Sequence, residues 1–171
     1  LAGGPKTFGF LVGAAGVGAL VGALYLASKR TVVGLGKTIP AATALFGAGL
    51  VCFSLSRTIW LSQVLMLITG FGMIVQMASS NTLLQTVVED DKRGRVMSFY
   101  TMSFMGMVPL GSLLSGALAG HIGAPRTLLI GGLVCILGAL VFARRLPALD
   151  KLMHPIYVRK GIIREVPVEG N

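Results

Sequence analysis

Apolar and charged residues are sorted along this chain rather than interleaved. Five stretches, 7–28, 38–56, 58–88, 96–125 and 127–143, contain no Asp, Glu, Lys or Arg. The charged residues collect in the short segments between them. A bilayer core about 30 Å thick takes roughly 20 residues of helix at 1.5 Å each. In hydrocarbon, backbone N–H and C=O groups must be bonded within the segment, so a single apolar stretch crosses as a helix. The pattern predicts an all-α integral membrane protein with five transmembrane helices, over about 8–27, 39–55, 59–88, 96–122 and 127–143. Residues 1–145 then form the transmembrane bundle and 146–171 a cytoplasmic tail.

The five spans differ in what they carry. Span one is rich in Gly and Ala. At 100° per residue, Gly9, Gly13 and Gly16 share one face while Gly18 and Gly22 share the opposite one. Gly9/Gly13 and Gly18/Gly22 both have the G-x-x-x-G spacing that lets helix backbones approach closely in lipid. Small residues on two faces predict a helix packed between two neighbours. Spans two and five are short and nearly free of polar groups, which predicts outer helices facing lipid. Cys52 and Cys135 lie in these separate spans and act there as small hydrophobes rather than as a disulfide or metal site.

Span three is long and carries the amides. Continuous from Ile59 to Val88, it measures about 45 Å, roughly 15 Å more than the hydrocarbon, so it tilts or projects into the cytoplasm. Gln63, Met66, Gly70, Met73, Met77 and Asn81 fall on one helical face, with Gln85 beside Asn81 and Gln76 pointing elsewhere. Buried amides in lipid need partners, so this face meets protein or water. It reads either as a cavity wall with adaptable methionine contacts or as ordinary helix packing. Span four places Gly106, Pro109, Gly116 and Gly120 on one face, and the proline bends the helix. His121, alone at its outer end, reads as structural.

The segment Glu89-Asp90-Asp91-Lys92-Arg93-Gly94-Arg95 joins spans three and four. Glu89/Arg93 and Asp91/Arg95 are i,i+4 acid-before-base pairs, and Gly94 permits a sharp turn between them. The segment is either a solvated loop or a cytoplasmic latch in which Asp91, Arg93 and Arg95 exchange partners. In the tail, 155–158 and 162–166 are spaced for a small hairpin.

Composition removes several classes. Of the 171 residues, 54% are hydrophobic, 12% are charged and 24 are glycine, with mean hydropathy +0.81. That is half the charge and about twice the glycine of an ordinary soluble domain. Disorder is excluded by the high hydrophobicity and low charge, and a disulfide scaffold by there being only two cysteines. The net charge of +9 does not mark a nucleic-acid partner, because the basic residues alternate between loops instead of forming one face. Lys29, Arg30 and Lys37 follow span one, Lys92, Arg93 and Arg95 follow span three, and six more lie after Ala143; only Lys6, Arg57 and Arg126 lie on the other side. This asymmetry puts the N-terminus outside and the C-terminus in the cytoplasm of a multi-pass plasma-membrane protein. An odd number of spans with an outer N-terminus and no signal peptide predicts further helices upstream of Leu1.

Asn81-Thr82-Leu83-Leu84-Gln85 with Val88, then Asp91-x-Arg93-Gly94-Arg95-Val96-x-Ser98, then Pro109-Leu110-Gly111, resembles the C-terminal half of major facilitator superfamily transporters. The branch it is similar to is that of enterobactin exporters and transmembrane secretion effectors, over residues 8–145. The resemblance implies that the spans are the last five of twelve. Span three then lines the substrate cavity, spans one and four meet the other half, and spans two and five face lipid. Gly106-x-x-Pro109-x-Gly111 resembles the Gly/Pro antiporter motif. The loop from Ser28 to Lys37 departs from the superfamily's acidic-and-basic signature, since it has no acid.

The chemistry to expect follows from what the spans contain. No Asp or Glu lies in any span, and there is no G-x-x-x-x-G-K-[ST]. No Ser/His/Asp set, paired carboxylates or metal cluster lies within a span. The expectation is therefore a non-enzymatic secondary-active transporter without cofactor or metal, exporting a small amphipathic molecule such as a siderophore or drug. Its partners are the lipid bilayer, the N-terminal half and the small-molecule substrate. If the coupling is to protons, the carboxylate lies upstream of Leu1. The alternative is a non-catalytic membrane-embedded structural or assembly subunit. The charge asymmetry carries its own test: in the full-length protein, Arg93→Cys in intact cells stays unlabelled by an impermeant thiol reagent added outside. Labelling from outside inverts the topology.

Overall fold

A computed structural model describes residues 4–29 and 32–159 and forms them into five helices. They are α1 Pro5–Ala27, α2 Leu35–Leu55, α3 Ile59–Val87, α4 Asp90–Ile122 and α5 Ala124–Arg159. Each is long and apolar enough to cross a membrane. The five helices fall on the five charge-free stretches read from the sequence, and they run on where charge had suggested loops.

The helix ends have local causes. Proline stands in the first turn of α1, where no N–H partner is lost. Gly34 precedes α2 with φ 91°, and Gly123 closes α4 with φ 85°, both in the left-handed region that side chains avoid. Gly123 is the whole link between α4 and α5. Asp90 and Asp91 occupy the first turn of α4, where the helix dipole favours negative charge.

Two sequence expectations change here. Gly94 makes no turn: the chain breaks instead at the extended residues Val88 and Glu89, and Gly94 lies inside α4. The dipole and the i,i+3 pairs at the α4 N-terminus outweigh one glycine. The hairpin is absent too, because α5 continues through Pro147 and Pro155 to Arg159, so its first arm is helical, while 162–166 lies outside the described residues. Leu146, Met153 and Tyr157 recur at helical spacing and are buried, which gives the extension an apolar face to pack.

The packing order is α1 on α3, α3 on α2, and α2 on α5. Glycine makes each contact. The backbone of Leu67 lies against Gly18 and that of Phe71 against Gly22, while Gly70 lies against the Ala15 carbonyl. Gly72 meets Ala42 and Phe46, and Gly49 meets the Thr69 side chain. Gly47 and Gly132 face each other, and a Cβ on either would lie 2.7 Å from the other's carbonyl oxygen. Span two is therefore not an outer helix: α2 is the central one, held between α3 and α5, while α5 keeps an exposed face that includes Val134, Leu137 and Val141. Hydropathy could not separate a lipid-facing helix from a protein-facing one, since both are apolar.

α4 stands apart. It has no buried residue and touches the bundle through α5 and, more sparsely, α3. The contacts that do form predict the effect of filling them. Gly47→Val adds bulk to a backbone contact that cannot retreat, and overpacking costs about 1–3 kcal/mol or more. Gly116, by contrast, has open space where a Cβ would stand, among the described residues. Thermal unfolding of the membrane-extracted protein should show Gly47→Val markedly destabilised; an unchanged midpoint would refute the α2–α5 contact.

Candidate functional site

α3 is the helix around which polar side chains gather. Gln63, Met66, Met77 and Asn81 are half-buried, Gln85 is exposed, and Met73 is 50% exposed. The helix period places them on one side, as the sequence predicted, but α2 and α4 decide which of them line a space. A cavity of about 270 Å³ opens between α3 and its neighbours, walled by Met73, Gln76 and Met77 of α3, Thr43 and Phe46 of α2, Phe104 of α4 and Cys135 of α5. Its lining is apolar apart from the Gln76 amide and the Thr43 hydroxyl. Thr43 Oγ1 donates to the Ile39 carbonyl at 2.8 Å, and Gln76 Nε2 donates to Ser80 Oγ at 3.4 Å. The long Gln76 contact leaves the amide free to turn toward another partner.

The structure therefore regroups the predicted residues. Met73 and Met77 meet in the cavity, and Gln76, expected to point elsewhere, joins them. α2 sits over the Thr69–Gly72 side of α3 and turns that side into a wall. Gly70 does not face a path, because the α1 backbone closes over it. Asn81 and Gln85 pair with each other, Gln85 Nε2 donating to Asn81 Oδ1 at 2.5 Å. Two amides one turn apart thus pair with one another at the C-terminal end of the helix. Thr43, Phe46, Phe104 and Cys135 had no periodic signal: their grouping depends on how four helices pack, which periodicity within one helix does not encode.

The small-residue faces divide in two. Gly18 and Gly22 are closed by α3, while Gly9, Gly13, Gly106, Gly111, Gly116 and Gly120 have nothing within 4 Å, and Pro109 is exposed. The Gly9/Gly13 face of α1 and the Gly106–Gly116–Gly120 face of α4 are thus free of partners among the described residues.

The charged segment is paired differently from the i,i+4 expectation. Glu89 Oε2 accepts from Lys92 Nζ at 2.6 Å, and Asp90 Oδ1 accepts from Arg93 Nη2 at 2.5 Å, both i,i+3. Glu89 Oε1 also accepts from Arg159 Nη2 at 3.1 Å, seventy residues away. Glu89 precedes α4 in an extended conformation, which aims its carboxylate back over the first turn at Lys92 rather than along the helix to Arg93. Asp91 and Arg95 make no ion pair among the described residues.

The Lys92 ammonium, with the Arg159 guanidinium second, holds the Glu89 carboxyl below its usual range. Because the folded value is depressed, these contacts contribute fully above the usual carboxylate range and fade as pH falls through the lower folded value. All three groups are exposed, so the contribution is small and screened by salt. Titration of a labelled Glu89 carboxyl should give a midpoint below the ordinary one, raised more by Lys92→Gln than by Arg159→Gln. A midpoint unmoved by either substitution would remove the cluster.

The family model described as transmembrane secretion effector, a major facilitator group, matches residues 1–158. A staphyloferrin A transporter of Staphylococcus aureus (strain NCTC 8325 / PS 47) is 30% identical over 141 residues, covering 80% of this chain and 34% of that protein. The chain thus spans about a third of the length of that relative. No solved structure matches.

Proposed function

The chain belongs to the transmembrane secretion effector family of major facilitator transporters, and from that premise we propose that it forms the C-terminal bundle of a secondary-active exporter of a small amphipathic molecule. The observation that carries this reading is the Met73–Gln76–Met77 side of α3, open to a 270 Å³ cavity in a bundle whose spans hold no carboxylate. Methionines adapt to varied apolar shapes, and a few amides orient a ligand without the cost of burying charge. The path runs along Gln63, Met66, Met73, Gln76 and Met77, with the Asn81–Gln85 pair at its cytoplasmic end.

Alternating access needs a second bundle to rock against. The unpartnered faces of α1 and α4 support that reading, since close-packing glycines on a lipid-facing helix would serve no contact. The N-terminal half of the transporter is their partner, with Gly106, Pro109, Gly116 and Gly120 at the seam. If export is proton-coupled, the titrating carboxylate belongs to that half, because this chain offers none within its spans. The N-terminus of the chain lies outside, and the α3–α4 junction lies inside, where Asp91, Arg93 and Arg95 sit beside the Glu89 cluster.

Export of several chemically distinct compounds by full-length Met73→Ala, Gln76→Ala, Met77→Ala and Asn81→Ala variants tests the path. Each is normalised to folded protein in the membrane. Loss of a ligand hydrogen bond costs about 0.5–1.5 kcal/mol, up to roughly tenfold in affinity, so Gln76→Ala should change some compounds severalfold and leave others alone. Asn81→Ala frees Gln85 and should act more evenly across compounds. Equal loss for every compound in the cavity variants, in step with abundance, would return this face to plain helix packing.

A further inference from the structure

Below the spans lies an apolar cleft that the transport reading does not use. It measures about 330 Å³ and separates the cytoplasmic end of α3 from the continuation of α5, with Leu83 and Val87 on one wall and Phe142, Leu149, Leu152 and Ile156 on the other. Leu152 is 68% exposed although it lines the cleft. The charge-free run of α5 ends at Ala143, so the cleft starts in the last turn of the hydrocarbon and continues through the level of the headgroups.

Cations dominate its surroundings. Phe142, Arg145, Leu149, Leu152, Ile156 and Arg159 follow one another at steps of three and four, so both arginines share the apolar stripe that lines the cleft. Arg159 is engaged by Glu89 at the lower end. Arg145 is exposed and, like Arg144 and Lys151, makes no ion pair among the described residues. The nearest acid on this helix, Asp150, lies toward Gly36 of α2, next to Leu146 and Met153 of the cleft wall.

The geometry points to a binding site for an anionic phospholipid of the cytoplasmic leaflet, its proximal acyl chain in the cleft and its phosphate on Arg145. The depth selects a lipid: a groove that opens at the bilayer boundary is bathed in acyl chains, and long cationic side chains there reach the headgroup layer. The inference is independent of the cargo and direction of transport.

The test uses the full-length transporter purified in detergent, mixed with phosphatidylglycerol or phosphatidylcholine, with retained phospholipid counted by native mass spectrometry. One cation near an anionic headgroup is worth about a fivefold preference. The unsubstituted protein should hold phosphatidylglycerol over phosphatidylcholine by about that factor, and Arg145→Gln should abolish the preference. Leu152→Cys, labelled with a fluorophore in a background lacking Cys52 and Cys135, reports the cleft itself. Phosphatidylglycerol brominated on its acyl chains should quench it, and brominated phosphatidylcholine at the same concentration should quench it less. Equal retention of the two lipids, or a preference unmoved by Arg145→Gln, overturns the site. So does a preference that Arg145→Gln removes while the probe stays unquenched, which is surface attraction alone. A probe already shielded in lipid-free protein shows that a protein segment fills the cleft, and overturns it as well.

Discussion

Contact between helix backbones at glycine is the interaction on which this bundle depends. Inside a bilayer, one apolar side chain gains nothing by leaving lipid for another, so helices associate only where atoms fit more closely than acyl chains do. Here the fit is made by Gly18, Gly22 and Gly70 between α1 and α3, by Gly49 and Gly72 between α3 and α2, and by Gly47 and Gly132 between α2 and α5. These contacts are backbone against backbone or against short side chains such as Thr69, so they fix distance and depth together. The cavity at Met73 takes its α2 wall from the contacts of α2 with α3 at Thr69, one turn away, and at the adjacent Gly72.

The extent of the fold legible in the sequence follows from the same physics. Spans are visible because charge is excluded from hydrocarbon, and that exclusion is local in sequence. Neighbour relations are not local. Gly18 and Gly22 carried a recognisable spacing and did meet a helix, yet the equally well-spaced Gly9 and Gly13 face open space among the described residues. Gly47, Gly49 and Gly132, set in apolar surroundings without any motif, turned out to make the central contacts. The amide face of α3 was readable to within one helical step; Gln76 joined it and Gly70 left it because a neighbour, rather than the helix period, sets where a wall begins.

At the α3–α4 junction, electrostatics adjusted what periodicity proposed. An acid-rich start and two short-range ion pairs extended α4 backward past Gly94, moving the break to Val88 and Glu89. Glu89 thereby came within reach of Arg159, and the end of α5 is tied to the start of α4. A helix of 36 residues with prolines at 147 and 155 survives beyond the span because Leu146, Met153 and Tyr157 pack against the start of α2 around Gly36. Tertiary burial here outweighs two missing N–H donors.

The shortness of the links at the two ends of α4 has a mechanical consequence. One residue, Gly123, joins its C-terminal end to α5, and two, Val88 and Glu89, join its N-terminal end to α3. A rod fixed at both ends cannot slide along its axis or swing open like a door. It can only bow, and its 33 residues contain one place where an internal hydrogen bond is already missing, at Pro109. Flexure at Pro109 is therefore the movement that its links leave open, and Phe104, which walls the Met73 cavity, lies within two turns of that point.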